Sequence, residues 1–166
     1  MSMKDLEEAF GLIEHNHDQA DFDGPKSDKL LNKAEQRLGL LFPATYRTFL
    51  SRLGCGDIAG AEFYGVIKDD FENSAVPDAI WLTLRQRQIA QAPLSLIIVG
   101  STDNGGYYAL DSSVTSNDGE NPVVEWWPGP KTQLAVAKDF GEFFLRSVRE
   151  ALGEYGEKGI GPASNG

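Results

Sequence analysis

The chain has 166 residues, with 25 acidic against 15 basic side chains and a formal net charge of −10. Its apolar fraction of 41% and charged fraction of 24% are ordinary for a globular protein, and they exclude collagen-like, wholly disordered and membrane-spanning classes. The length suits one domain with a self-sufficient core. No apolar run, Leu96 to Val99 included, approaches the ~20 residues that a transmembrane helix needs. The opening MSMKDLEEAF carries acids where a signal peptide needs an apolar stretch, so export by that route is not expected. A single cysteine, Cys55, excludes an intrachain disulfide and points to a reducing, cytoplasmic compartment.

Leu6, Ala9, Phe10 and Ile13 recur at helical spacing and predict a first helix. His15 to Pro25 is polar, ends in Asp-Gly-Pro and reads as a loop. Ser27 is a candidate N-cap for a second helix, which Leu30, Leu31, Ala34 and Leu38 line and Gly39 ends. Pro43 suits the first turn of a third, with Tyr46, Phe49, Leu50 and Leu53 on one face and Gly54 as its C-cap. Ala61–Ile67 and Leu94–Val99 are short apolar runs of strand type. Between them Val76–Ala90 fits either period; Pro77 and its Gln/Arg-rich end favour a helix. Asp103-Asn104-Gly105-Gly106 leads into Tyr107–Asp111 as a hairpin, and Val123–Trp127 is a further strand. Asp139 and Glu142 have capping-box spacing ahead of a helix whose face is Phe140, Phe143, Phe144, Val148, Ala151 and Leu152. The expected fold is α+β: short N-terminal helices, a central antiparallel sheet of about four to six strands, and a C-terminal helix packed on that sheet. Residues 1–152 form the domain. Residues 153–166, with five glycines, form a flexible tail.

The charge is uneven. Residues 53–84 hold six acids and one base, Lys68, and residues 88–130 hold five acids and no base. Such a surface repels nucleic acid and suits either solubility or the steering of a basic partner. Catalytic and cofactor patterns fail one by one. His15, His17, Asp18, Asp21 and Asp23 are dense in ligand types. Aligned as a calcium loop on Gly24, however, they put Gln19 first and Leu30 where a bidentate Glu is needed. Gly100–Gly106 lacks the Lys-Ser/Thr of a phosphate loop. No G-x-S-x-G elbow is present, and Cys55 has no nearby base and reads as a structural thiol. Asp111 and Glu125 are a nameable but weak acid–base pair. No catalytic residue, cofactor or metal is expected. Trp126-Trp127-Pro128-Gly129-Pro130 places adjacent tryptophans on opposite faces of a strand, one of them outward or under the Gly-Pro loop.

The run Ala34-Glu35-Gln36-Arg37-Leu38-Gly39-Leu40-Leu41-Phe42-Pro43-Ala44-Thr45-Tyr46-Arg47-Thr48-Phe49-Leu50 resembles the signature of the SUKH superfamily, the group of the Smi/Knr cell-wall-assembly regulators and many bacterial immunity proteins. Gly106–Asp111, Asn121–Trp126 and the Asp139-Phe140…Phe143-Phe144 helix fit in order and spacing over residues 4–152. The combination is most similar to the YobK-like antitoxin branch. It departs from many members in the turn Gly54-Cys55-Gly56-Asp57, where they carry Asn-Gly-Gly. The resemblance implies an α+β fold, no catalysis and a cognate toxin protein, commonly a basic nuclease domain, bound and occluded inside the cell. A cytoplasmic adaptor without a toxin, or a carboxylate-dependent hydrolase, are the competing readings. The expected binding face draws on Asp57, Glu62, Asp69, Asp70, Glu72, Asp103, Asp118 and Glu120, with Trp126 or Trp127 as an apolar anchor.

Overall fold

Local capping chemistry sets most helix boundaries in the computed structural model, which describes residues 2–129 and 133–153. Helix α1 spans Ser2–His15 and buries Leu6, Ala9, Phe10 and Ile13. Ser27 caps α2 (Asp28–Leu38) by accepting from the Leu30 N–H, and Gly39 closes it in the left-handed conformation at φ 73°. Pro43 stands at the N-cap of α3 (Ala44–Leu53), one residue ahead of the first turn. The ambiguous stretch is a helix, α4 (Ala79–Ala90), because the Asp78 carboxylate accepts from the Ile80 and Trp81 N–H groups. Asp139 caps α5 (Phe140–Ala151), while Glu142 reaches back to the Lys138 N–H at 2.8 Å, one residue earlier than a strict capping box.

Among the described residues seven strands form two antiparallel sheets where one sheet was expected. The stretch read as a loop contains a 3-10 turn, His17–Gln19, and strand β1, Ala20–Phe22. With β2 (Gly56–Ile58) and β3 (Ala61–Phe63), β1 makes the first sheet, in the order β1-β2-β3. The second runs β4 (Leu96–Ser101), β5 (Tyr107–Asp111), β6 (Val123–Trp126), β7 (Leu134–Ala137) in sequence order. The Tyr64 N–H donates to the Val99 carbonyl at 2.9 Å and joins the two sheets just past β3.

Alternation along β4 explains the layering. Ile97 and Val99 enter the main core with α1, α3 and α5, whereas Leu96 and Ile98 enter a second core beneath α4. In the main core Phe63 and Phe144 meet edge-on at 4.7 Å and Tyr46 and Phe140 at 4.9 Å. The signature run builds this core. Glu35 accepts from the Phe42 N–H at 2.8 Å and faces Arg47 at 3.2 Å, which fixes the α2–α3 turn. The fully buried Tyr46 donates its hydroxyl to the Tyr64 carbonyl at 2.9 Å. Among the described residues no helix is long and apolar enough to cross a membrane. The expected tail beyond Gly153, and the Pro130 end of the tryptophan loop, lie outside the described residues.

Glu120, expected on the binding face, is 4% exposed. Its carboxylate accepts from the Thr45 N–H at 3.1 Å and the Thr45 hydroxyl at 2.6 Å, serving the first turn of α3 that Pro43 cannot cap. Burial pushes its pKa above the usual 4.5 against those two hydrogen bonds. The folded carboxyl therefore holds its proton more tightly than the unfolded one. Its contribution to stability is full below pH 4.5 and is lost as pH rises through the folded value. In urea unfolding at several pH values, Glu120→Gln should remove this fall with rising pH. Glu120→Ala, which strands two buried Thr45 groups, should cost at least ~2 kcal/mol at every pH.

Candidate functional site

The register of the first sheet sets Asp21 directly opposite Asp57, and Asp57 directly opposite Glu62. Like charges in facing positions weaken a sheet, and this row crosses all three strands. The two-residue period brings Asp23 to the same face, and with the other three it lines a cavity of about 300 Å³. Cys55 also lines it, but its thiol is pushed up to about 11, first by burial and then by Asp23. It is therefore a protonated, inert group at neutral pH, as the sequence suggested. Lys26 pairs with Asp23 and donates to the Ile67 carbonyl at 3.0 Å, bordering the cavity without lining it.

Glu62 also rims a second, larger cavity of about 490 Å³ beside the β3–β4 junction. Asp103 and Glu150 share its rim, and Tyr108 and Phe143, with ring centroids 5.0 Å apart, are its aromatic lining. Among the described residues no Lys or Arg lines either cavity. The last turn of α5 adds the negative end of its dipole through Glu150 and Ala151. The Tyr108 hydroxyl registers this field: its pKa is raised by burial first, then by Glu125, Asp103 and Glu150, with Arg146 acting the other way. The acids are spread along a surface; among the described residues no group of three could hold a metal ion. Chemically, such a tract can take guanidinium or ammonium groups, their charge against carboxylates and their stems over rings.

Of the acids expected on the face, Asp57, Glu62 and Asp103 come together here. The others do not. Asp69 pairs with Lys33 at 3.3 Å and Glu72 with Arg37 at 2.7 Å, both tied to α2. Asp70 binds Asn73 in its own loop. Asp118 bonds Ser116 and lines a small recess with Ser2 and Lys138. Asp111 accepts from the Ser113 N–H and hydroxyl and lies level with Pro122, three residues along the chain from Glu125, so the nameable acid–base pair is not assembled. Sequence reasoning missed Glu150, Tyr108 and Phe143 as partners of this tract, and took Asp21 and Asp23 only as failed calcium ligands. None of these carries a local signal, since strand pairing and the docking of α5 bring them in.

The tryptophans separate as alternation requires. Trp126 is 3% exposed in the core beneath α4, stacked on Tyr107 at 6.0 Å, so it is not a surface anchor. Trp127 is half-buried and donates its indole N–H to Asn104 at 3.2 Å. It lies so close over Gly106 that a Cβ there would come within 2.6 Å of the ring nitrogen. By denaturant unfolding, Trp126→Ala should cost ~3–5 kcal/mol and Trp127→Ala only about 1 kcal/mol.

The SUKH_6 family model, described as SMI1-KNR4 cell-wall, matches residues 28–144, from the start of α2 to the middle of α5. The match takes in Asp57, Glu62 and Asp103 and leaves Asp21 and Glu150 outside it. It also spans the Glu35–Tyr46 turn, which Glu35 fixes through the Phe42 N–H and which Tyr46 ties to the Tyr64 carbonyl. This chain belongs to the SMI1-KNR4 cell-wall family of the SUKH superfamily.

Proposed function

We propose that this chain is an immunity protein of the YobK-like antitoxin kind, which binds a cognate toxin in the cytoplasm and occludes its active site. The observation that supports this reading is the acidic tract from Asp21 through Asp57 and Glu62 to Asp103 and Glu150, bordered by Lys26 but with no base among the described residues lining its two cavities, and with Tyr108 and Phe143 beside it. A nuclease domain needs a positive cleft for phosphates, and a negative inhibitor surface is steered into such a cleft. The like-charge contacts across β1-β2-β3 weaken the free protein, and a cationic partner relieves them. Family membership agrees with this reading. The family's description as a cell-wall group favours a second one, an adaptor that uses the same face on a basic protein without toxicity.

Co-expression with any toxin domain that the neighbouring genes encode tests the proposal, and a neighbourhood that encodes none counts for the adaptor reading. Wild type should restore growth, and the triple variant Asp57→Asn/Glu62→Gln/Asp103→Asn should fail to do so while remaining folded. Failure of wild-type protein to protect against that domain would overturn the immunity reading.

A further inference from the structure

On a chain of net charge −10, one cleft has the opposite sign. Between α2 and α4, a cavity of about 420 Å³ is lined by Arg37, Arg85 and Arg87 against the single acid Glu72, with Trp81 and Phe71 as aromatic walls. That volume lies in the range of small-molecule pockets. The Arg85 guanidinium lies 5.6 Å over the Trp81 ring. Arg87 is half-buried and held in place, donating to the Leu38 carbonyl at 3.0 Å and the Leu94 carbonyl at 3.1 Å. Its Nε is buried with no acceptor among the described residues. Arg87 is also less readily charged than usual, first from burial and then from the positive charge of Arg37. The fold thus gathers Arg37, Arg85 and Arg87 in one cleft against a single acid, a like-charge cost that an anion in the cleft would offset.

We propose that this cleft binds a small phosphate-bearing ligand with an aromatic body, of the nucleoside-phosphate kind. The lining carries two net positive charges, which suits a multiply charged phosphate better than a single carboxylate. Trp81, half-buried, provides surface for a planar ring, while Phe71 is largely buried in the core. Glu72 is the internal competitor. Its pair with Arg37 is exposed on both sides, 60% and 47%, so it yields readily to a stronger anion.

Isothermal titration of the full chain with ATP, inorganic pyrophosphate and adenosine, without added metal, tests this. ATP should bind, pyrophosphate should bind several-fold more weakly, and adenosine should show no saturation. Arg37→Gln should weaken ATP by about tenfold or more, and Arg85→Gln likewise. Arg87 also ties the end of α2 to the segment before β4, so these two variants, both on exposed arginines, carry the test. Glu72→Gln should tighten ATP by about threefold. The proposal is overturned if ATP does not bind at millimolar concentration, if adenosine matches ATP, or if Arg37→Gln leaves the affinity unchanged. Pyrophosphate as tight as ATP would remove the aromatic part of the assignment.

Discussion

Gly65→Ala should be the most damaging single methyl group that can be added to this protein, at ~3 kcal/mol or more. A Cβ at Gly65 would lie 1.8 Å from the Gly54 carbonyl oxygen and 2.8 Å from the Leu50 side chain, which is fully buried. The backbone has no room to withdraw. The Gly65 N–H donates to the Pro77 carbonyl at 2.9 Å, its carbonyl accepts from the Ala79 N–H at 2.7 Å, and the Val66 N–H donates to the Gly54 carbonyl at 3.1 Å. These bonds tie the end of α3, the segment after β3 and the start of α4 at one point. The same substitution at Gly11, in α1, meets nothing within 4 Å and should stabilise by up to ~1 kcal/mol through helix propensity. Urea unfolding of both variants checks the contrast. A Gly65→Ala protein within about 0.5 kcal/mol of wild type would mean that this crossing is not close-packed.

Neutralising the acidic tract should move binding and stability in opposite directions. Asp57→Asn/Glu62→Gln/Asp103→Asn removes three charges that no ion pair offsets among the described residues, and should slow association with a basic toxin by about tenfold or more at low salt. The same change relieves the Asp21–Asp57–Glu62 row, so the free protein should be more stable by a few tenths to ~1 kcal/mol per relieved contact. Asp69→Asn/Glu72→Gln is the control. It removes two charges that Lys33 and Arg37 already offset, and should change the association rate far less. Stopped-flow association and thermal melts on the two variants separate a built binding surface from general acidity. Equal loss of rate in both would assign the effect to net charge alone.

What was legible in the sequence followed from how local its cause is. Ser27, Gly39 and Asp139 act on backbone groups within a few residues, so α2 and α5 could be bounded from the chain alone. Strands β1 and β2 are three residues each and β1 carries the exposed Asp21, so neither has an apolar period to find. They exist because distant segments pair, and the split into two sheets depends on that pairing. Glu120 looked like surface because its partner, Thr45, is 75 positions away. Alternation told that one of the two tryptophans was inside. Only the register that sets Trp126 opposite Tyr107 says which. The acidity of Asp57 and Glu62 was visible in the segment charge, whereas their facing positions were not.

Amide hydrogen exchange of this chain, alone and with a toxin domain against which it protects in co-expression, measures the contact surface directly. If the acidic tract is the docking surface, slowed exchange should concentrate in residues 56–63, 101–108 and the last turn of α5, with α2 and α4 unchanged. Protection confined to α2 and α4, with residues 56–63 exchanging as in the free protein, would contradict the assignment of the acidic face as the partner site.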